Sequence, residues 1–128
     1  MFLDLTIFAI VLTAASGLPG LFMARSEVRG ERIAAAVMVC GALLGLLSAA
    51  VTLFGGRQPN AFFPWPAAGN GVVGLDALSA FFLVPVFLVG GLGPIYGLGY
   101  WPQLRHPSNG RKLRLFWGLL VAGMALLV

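Results

Sequence analysis

Few side chains in this 128-residue chain can do acid–base, nucleophilic or metal chemistry: Asp4, Glu27, Glu31, Asp76, His106 and Cys40, alongside eight Lys and Arg. A metal centre needs three or four Cys, His or carboxylate ligands drawn together, and one cysteine with one histidine makes no such cluster. A single cysteine also excludes an internal disulfide. Cys40 lies in the middle of an apolar run and reads as a small apolar residue. No nucleotide-binding loop, metal motif or nucleophile triad is present. His106 precedes Pro107-Ser108-Asn109-Gly110, a turn signal, and reads as a solvated or partner-contacting loop residue rather than a catalytic one. Asp76 is the candidate for moving protons, since an ionisable group in a membrane helix is functional by default. Its setting, Leu75-Asp76-Ala77-Leu78-Ser79, reads better as a helix start. There the carboxylate caps free amide donors and meets the positive end of the helix dipole. Asp4 reads as an interfacial residue of the same kind.

The elements that must position these groups follow from composition. Hydrophobic residues make up 59% and charged residues 9%, whereas a soluble domain carries about 25% charged residues. The mean hydropathy is +0.96. Such a chain cannot cover itself with a hydrated surface, which excludes most soluble enzymes and points to membrane helices. The fold expected is an all-α membrane protein of about four transmembrane helices, in one domain spanning residues 1–128. The four apolar runs cover about 2–24, 33–54, 75–101 and 113–128. The first three are long enough to cross a core of about 30 Å at 1.5 Å per residue. The fourth offers only its stretch after Arg114 and has no closing aromatic or basic anchor, so the last helix reads as cut short or completed by a neighbour. Pro19, within Ser16-Gly17-Leu18-Pro19-Gly20, should kink or end the first helix, and Pro85 and Pro94 should bend the third.

Seven of the eight basic residues fall in two connections. Arg25, Arg29 and Arg32, with Glu27 and Glu31, lie between runs one and two; Arg105, Arg111, Lys112 and Arg114 lie between runs three and four. Only Arg57 is in the middle connection. The positive-inside bias places the basic loops in the cytoplasm and the N-terminus and residues 55–73 outside. Phe62, Phe63 and Trp65 are candidates for an interfacial aromatic belt. Basic residues confined to short loops give no case for nucleic acid. Arg111, Lys112 and Arg114 are expected to hold topology or meet anionic headgroups. Gly41-xxx-Gly45 and Gly93-xxx-Gly97 are small-residue spacings suited to close helix packing.

At Leu75-Asp76-Ala77-Leu78-Ser79-Ala80-Phe81-Phe82-Leu83, then Gly97-Leu98-Gly99-Tyr100, the chain resembles the antiporter-like membrane subunits. These are the large proton-translocating subunits of complex I, of multi-subunit sodium/proton antiporters and of membrane-bound hydrogenases. Pro85 within Phe82–Phe87, Gly97–Pro102 and His106–Arg111 look most like the hydrogenase-4 component B and formate hydrogenlyase subunit 3 group. The resemblance is to the N-terminal four-helix portion only. The family's essential glutamate lies on the helix after the one that matches this chain's last, and its lysines lie further on. No catalytic residue is transferred. The resemblance implies a multi-pass protein of the cytoplasmic (inner) membrane that supports ion translocation coupled to electron transfer but lacks the conducting residues. Its partners would be the lipid bilayer and other subunits of a hydrogenase or complex I-like assembly, or a missing C-terminal remainder. The nickel–iron and iron–sulfur cofactors would belong to other subunits, leaving none in this chain. The alternative is a small structural or assembly membrane protein without transport; a free-standing enzyme has no constellation to support it.

Overall fold

The computed structural model describes residues 2–23, 28–55, 60–67 and 69–128, without the side chains of Phe2, Phe63 and Trp65. Arg25, Glu27, Arg57 and the two candidate belt side chains at 63 and 65 therefore lie outside the described residues. Among the described residues, five helices and one hairpin follow in the order α1 (Phe2–Ala15), α2 (Leu18–Phe22), α3 (Val28–Gly55), β1 (Ala61–Trp65), β2 (Gly69–Val73), α4 (Ala77–Tyr100) and α5 (Gly110–Leu127).

The first apolar run is broken where Pro19 was expected to interrupt it. Residues 16–17 form a turn, and Pro19 sits in the first turn of α2, where its missing N–H costs nothing. The second helix begins five residues before the expected start, at Val28 instead of residue 33, and takes Arg29, Glu31 and Arg32 into its first turns. At about 42 Å it is long enough to carry those charges beyond a 30 Å apolar layer. The third helix runs without interruption through Pro85 and Pro94 to Tyr100, so neither proline ends it. Three stretches are long and apolar enough to cross a membrane among the described residues: Leu3–Phe22, Val28–Gly55 and Ala77–Tyr100. Helix α5 has 18 residues, about 27 Å, with Arg111, Lys112 and Arg114 in its opening turns.

The middle connection, read from the sequence as a loop, holds a β-hairpin. Strands β1 and β2 pair antiparallel from Ala61 opposite Val73 to Trp65 opposite Gly69. Gly69 adopts φ +85°, a left-handed conformation that glycine takes without strain, where the chain turns back.

The helices close a ring in which α3 packs on α1 and α4, and α5 packs on α1 and α4. Small residues make the core: Ala9, Ala42, Ala49, Ala80 and Ala122 are buried, with Phe87, Met38 and Leu83 as the large side chains. Large apolar side chains such as Phe8, Leu43, Phe81, Leu92 and Leu120 point outward. An apolar surface over a core of small residues is the arrangement of helices packed in lipid, where close backbone approach replaces the hydrophobic effect. Buried hydroxyls join the helices or return to their own backbone. Thr6 and Ser48 share a hydrogen bond of 2.5 Å, and the Ser16 and Thr52 hydroxyls donate to the carbonyls of Thr13 and Ser48 at 2.7 and 3.0 Å.

The glycines distribute unevenly. A Cβ on Gly41 would press on Thr13 of α1, and one on Gly45 would enter the Phe87 ring of α4. A Cβ on Gly93 would enter the Trp117 indole of α5, whereas one on Gly97 would meet no atom within 4 Å. A Cβ on Gly118 of α5 would press on the Thr13 carbonyl of α1, a contact the glycine spacings did not single out.

Candidate functional site

The N-terminus of α3, the turn after α4 and the start of α5 meet at one end of the bundle. Three side chains lock together there. The Arg114 guanidinium pairs with the Glu31 carboxylate and also donates to Gln103 Oε1 at 3.0 Å. The Gln103 backbone N–H in turn donates to the two Glu31 oxygens at 3.3 and 3.4 Å. The Glu31 and Arg114 side chains are 3% and 15% exposed. A carboxylate so deeply buried is costly unless paired and hydrogen-bonded, and this one is both. Sequence reading left Glu31 in a loop and Arg114 holding topology or meeting headgroups; the structure moves Glu31 into the first turn of α3 and pairs it with Arg114. The partners lie 83 residues apart, so no local spacing announces the pair.

Arg111 also turns inward. It donates to the carbonyls of Gly20, at 2.9 Å, and Leu21. These belong to the last turn of α2, where free carbonyls and the negative end of the helix dipole favour a cation. His106 stacks on Trp101, with ring centroids 3.5 Å apart and 8° between planes, which closes the turn after α4. Lys112, Arg29, Arg32 and Arg105 remain exposed at this end.

At the opposite end Asp76 is the N-cap of α4, accepting from the Ser79 amide at 2.7 Å. The Ser79 hydroxyl donates to the Val128 carbonyl at 2.8 Å, so the end of α5 lies level with the first turn of α4. Asp4 is exposed in the first turn of α1. Cys40 is exposed on α3.

Pro94, Gly93 and Trp117 form one device. Proline at 94 cannot donate to the carbonyl four residues back, at Gly90. The Trp117 indole N–H donates to that carbonyl at 3.2 Å, and the absent side chain at Gly93 leaves room for the indole to reach it.

Between α3, α4 and α5 lies a half-open groove of about 330 Å³. Its walls include Met38, Tyr96, Gly97, Tyr100 and Trp117, and Arg114 stands at its basic end. Among the described residues no group of three His, Cys, Asp or Glu is placed to hold a metal ion. Comparison with protein-family models, with curated proteins and with solved structures finds no match.

Proposed function

We propose that this chain is a helix-packing, non-conducting portion of an antiporter-like subunit in a hydrogenase or complex I-like membrane assembly. In this reading four helices cross the inner membrane, with the N-terminus and the hairpin outside and the Glu31–Arg114 end in the cytoplasm. The observation that carries the non-conducting role is the location of the ionisable side chains. Asp4 and Asp76 lie in or at the first turns of α1 and α4, and Glu31 is tied to Arg114 at the basic end. Between those ends the buried polar groups are hydroxyls such as Thr6, Ser48 and Thr52. A proton relay through a membrane uses ionisable groups facing a cavity or the bundle interior. The antiporter-like identity rests on the resemblance at Leu75–Leu83, Gly97–Pro102 and His106–Arg111. Ion movement and redox cofactors then belong to other parts of the assembly.

The test is a native gel of mildly solubilised membranes carrying a tagged copy of the chain. The proposal expects the tag in a high-mass band that reduces a dye with hydrogen or NADH. A tag confined to a small particle without dye-reducing activity would reject the assembly and favour the structural or assembly membrane protein.

A further inference from the structure

The groove between α3, α4 and α5 plays no part in the packing role, yet its chemistry is selective. We propose that it binds one anionic phospholipid, with an acyl chain in the groove and the phosphate at the basic end.

The walls suit an alkyl chain. Met38 lines the inner side, and Tyr96 and Tyr100 form an outer rim that is 68% and 69% exposed. Those two rings stack with centroids 5.3 Å apart, leaving a firm edge rather than a closed lid. The groove therefore opens sideways, toward the surface that carries the outward-facing apolar side chains. A lipid chain can enter from that side without the protein rearranging.

Charge selects the headgroup. Arg114 lines the end of the groove, and a guanidinium has five N–H donors in a fixed fork. Gln103 and Glu31 each engage one N–H of a different terminal nitrogen, leaving donors for phosphate oxygens. Arg29, Arg32, Arg105 and Lys112 are exposed around the same end, and among the described residues Glu31 is the one acidic side chain there. Basic pockets between membrane helices are suited to anionic headgroups.

A cavity of about 330 Å³ is in the range of small-molecule sites. Gly97 adds a local sign, because it lines the groove and a Cβ there meets no protein atom within 4 Å. A larger side chain at 97 would enter the space assigned to the lipid and not the helix packing.

The experiment uses the indoles as reporters. Trp101 and Trp117 line the groove. With Trp65→Phe removing the third indole, the protein is reconstituted in phosphatidylcholine vesicles. A small, equal fraction of either brominated phosphatidylglycerol or brominated phosphatidylcholine is then added, and quenching is measured. The proposal expects the anionic lipid to occupy the site about fivefold more tightly or better, the contribution of one basic residue near the surface. Gly97→Leu should abolish the preferential quenching while circular dichroism shows the helices intact. Arg105→Gln with Lys112→Gln should bring the two lipids closer together. Equal quenching by both lipids in the parent protein would overturn the proposal, as would unchanged preference in Gly97→Leu. A dimer in sedimentation that Gly97→Leu dissociates would make a second copy the occupant and equally overturn it.

Discussion

Replacing Arg114 by Met keeps most of the aliphatic volume but leaves the Glu31 carboxylate without its cation. Glu31 is 3% exposed, and the Gln103 backbone N–H donates to it over a longer distance. Removing one member of a buried pair costs about 3–5 kcal/mol, most of it the uncompensated charge that remains. At about 1.4 kcal/mol per tenfold, the folded-to-unfolded ratio should fall by roughly two to three and a half orders of magnitude. The revealing partner is Glu31→Gln combined with Arg114→Met. That pair removes both charges, while the new amide accepts from the Gln103 N–H and donates to Gln103 Oε1. It should recover at least half of the loss, because neutral replacement of a buried ion pair is often close to neutral in stability. The assay is reversible unfolding of the detergent-solubilised protein by a graded denaturing detergent, followed by circular dichroism as a double-mutant cycle. An Arg114→Met variant within about 0.5 kcal/mol of the parent would refute the buried-pair reasoning. So would a double variant no more stable than that single one.

Two further outcomes follow from the packing and one from the distribution of basic residues. Gly45→Val should cost about 1–3 kcal/mol or more in the same assay, because its Cβ enters the Phe87 ring, whereas Gly97→Ala should stay within about 0.5 kcal/mol. Trp117→Phe should cost about 1 kcal/mol through the Gly90 carbonyl; with Pro94→Ala, whose N–H can satisfy that carbonyl, the hydrogen-bond part of the cost should disappear, and an unchanged cost would remove this role of the indole. For orientation, a cysteine at Asn109 in a Cys40→Ala background should resist an impermeant reagent added to intact cells and react in opened ones; labelling from outside would invert the topology.

The helices were legible because their evidence is local. Long uncharged runs, the Asp76 cap two residues after Gly74, and Pro19 beside Gly17 and Gly20 each announce an element from a few neighbouring residues. The start of α3 was hidden because Arg29, Glu31 and Arg32 look alike as loop charges or as a helical turn extending past the bilayer core. What settles it is Arg114, far along the chain. The hairpin was hidden because Pro64 interrupts a strand pattern. Of the four glycines chosen by spacing, Gly41, Gly45 and Gly93 face another helix and Gly97 faces the groove. A spacing rule reports which residues share a face; it does not report what lies opposite.

The most direct measurement of the central claim is proton flux through the purified chain reconstituted in liposomes, with an imposed pH gradient and an enclosed pH-sensitive dye. The account predicts a dye trace matching that of empty liposomes, because Asp76 caps a helix and Glu31 is tied to Arg114 at one end of the bundle. A leak above that of empty liposomes, abolished by Asp76→Asn, would contradict it and make Asp76 a proton carrier.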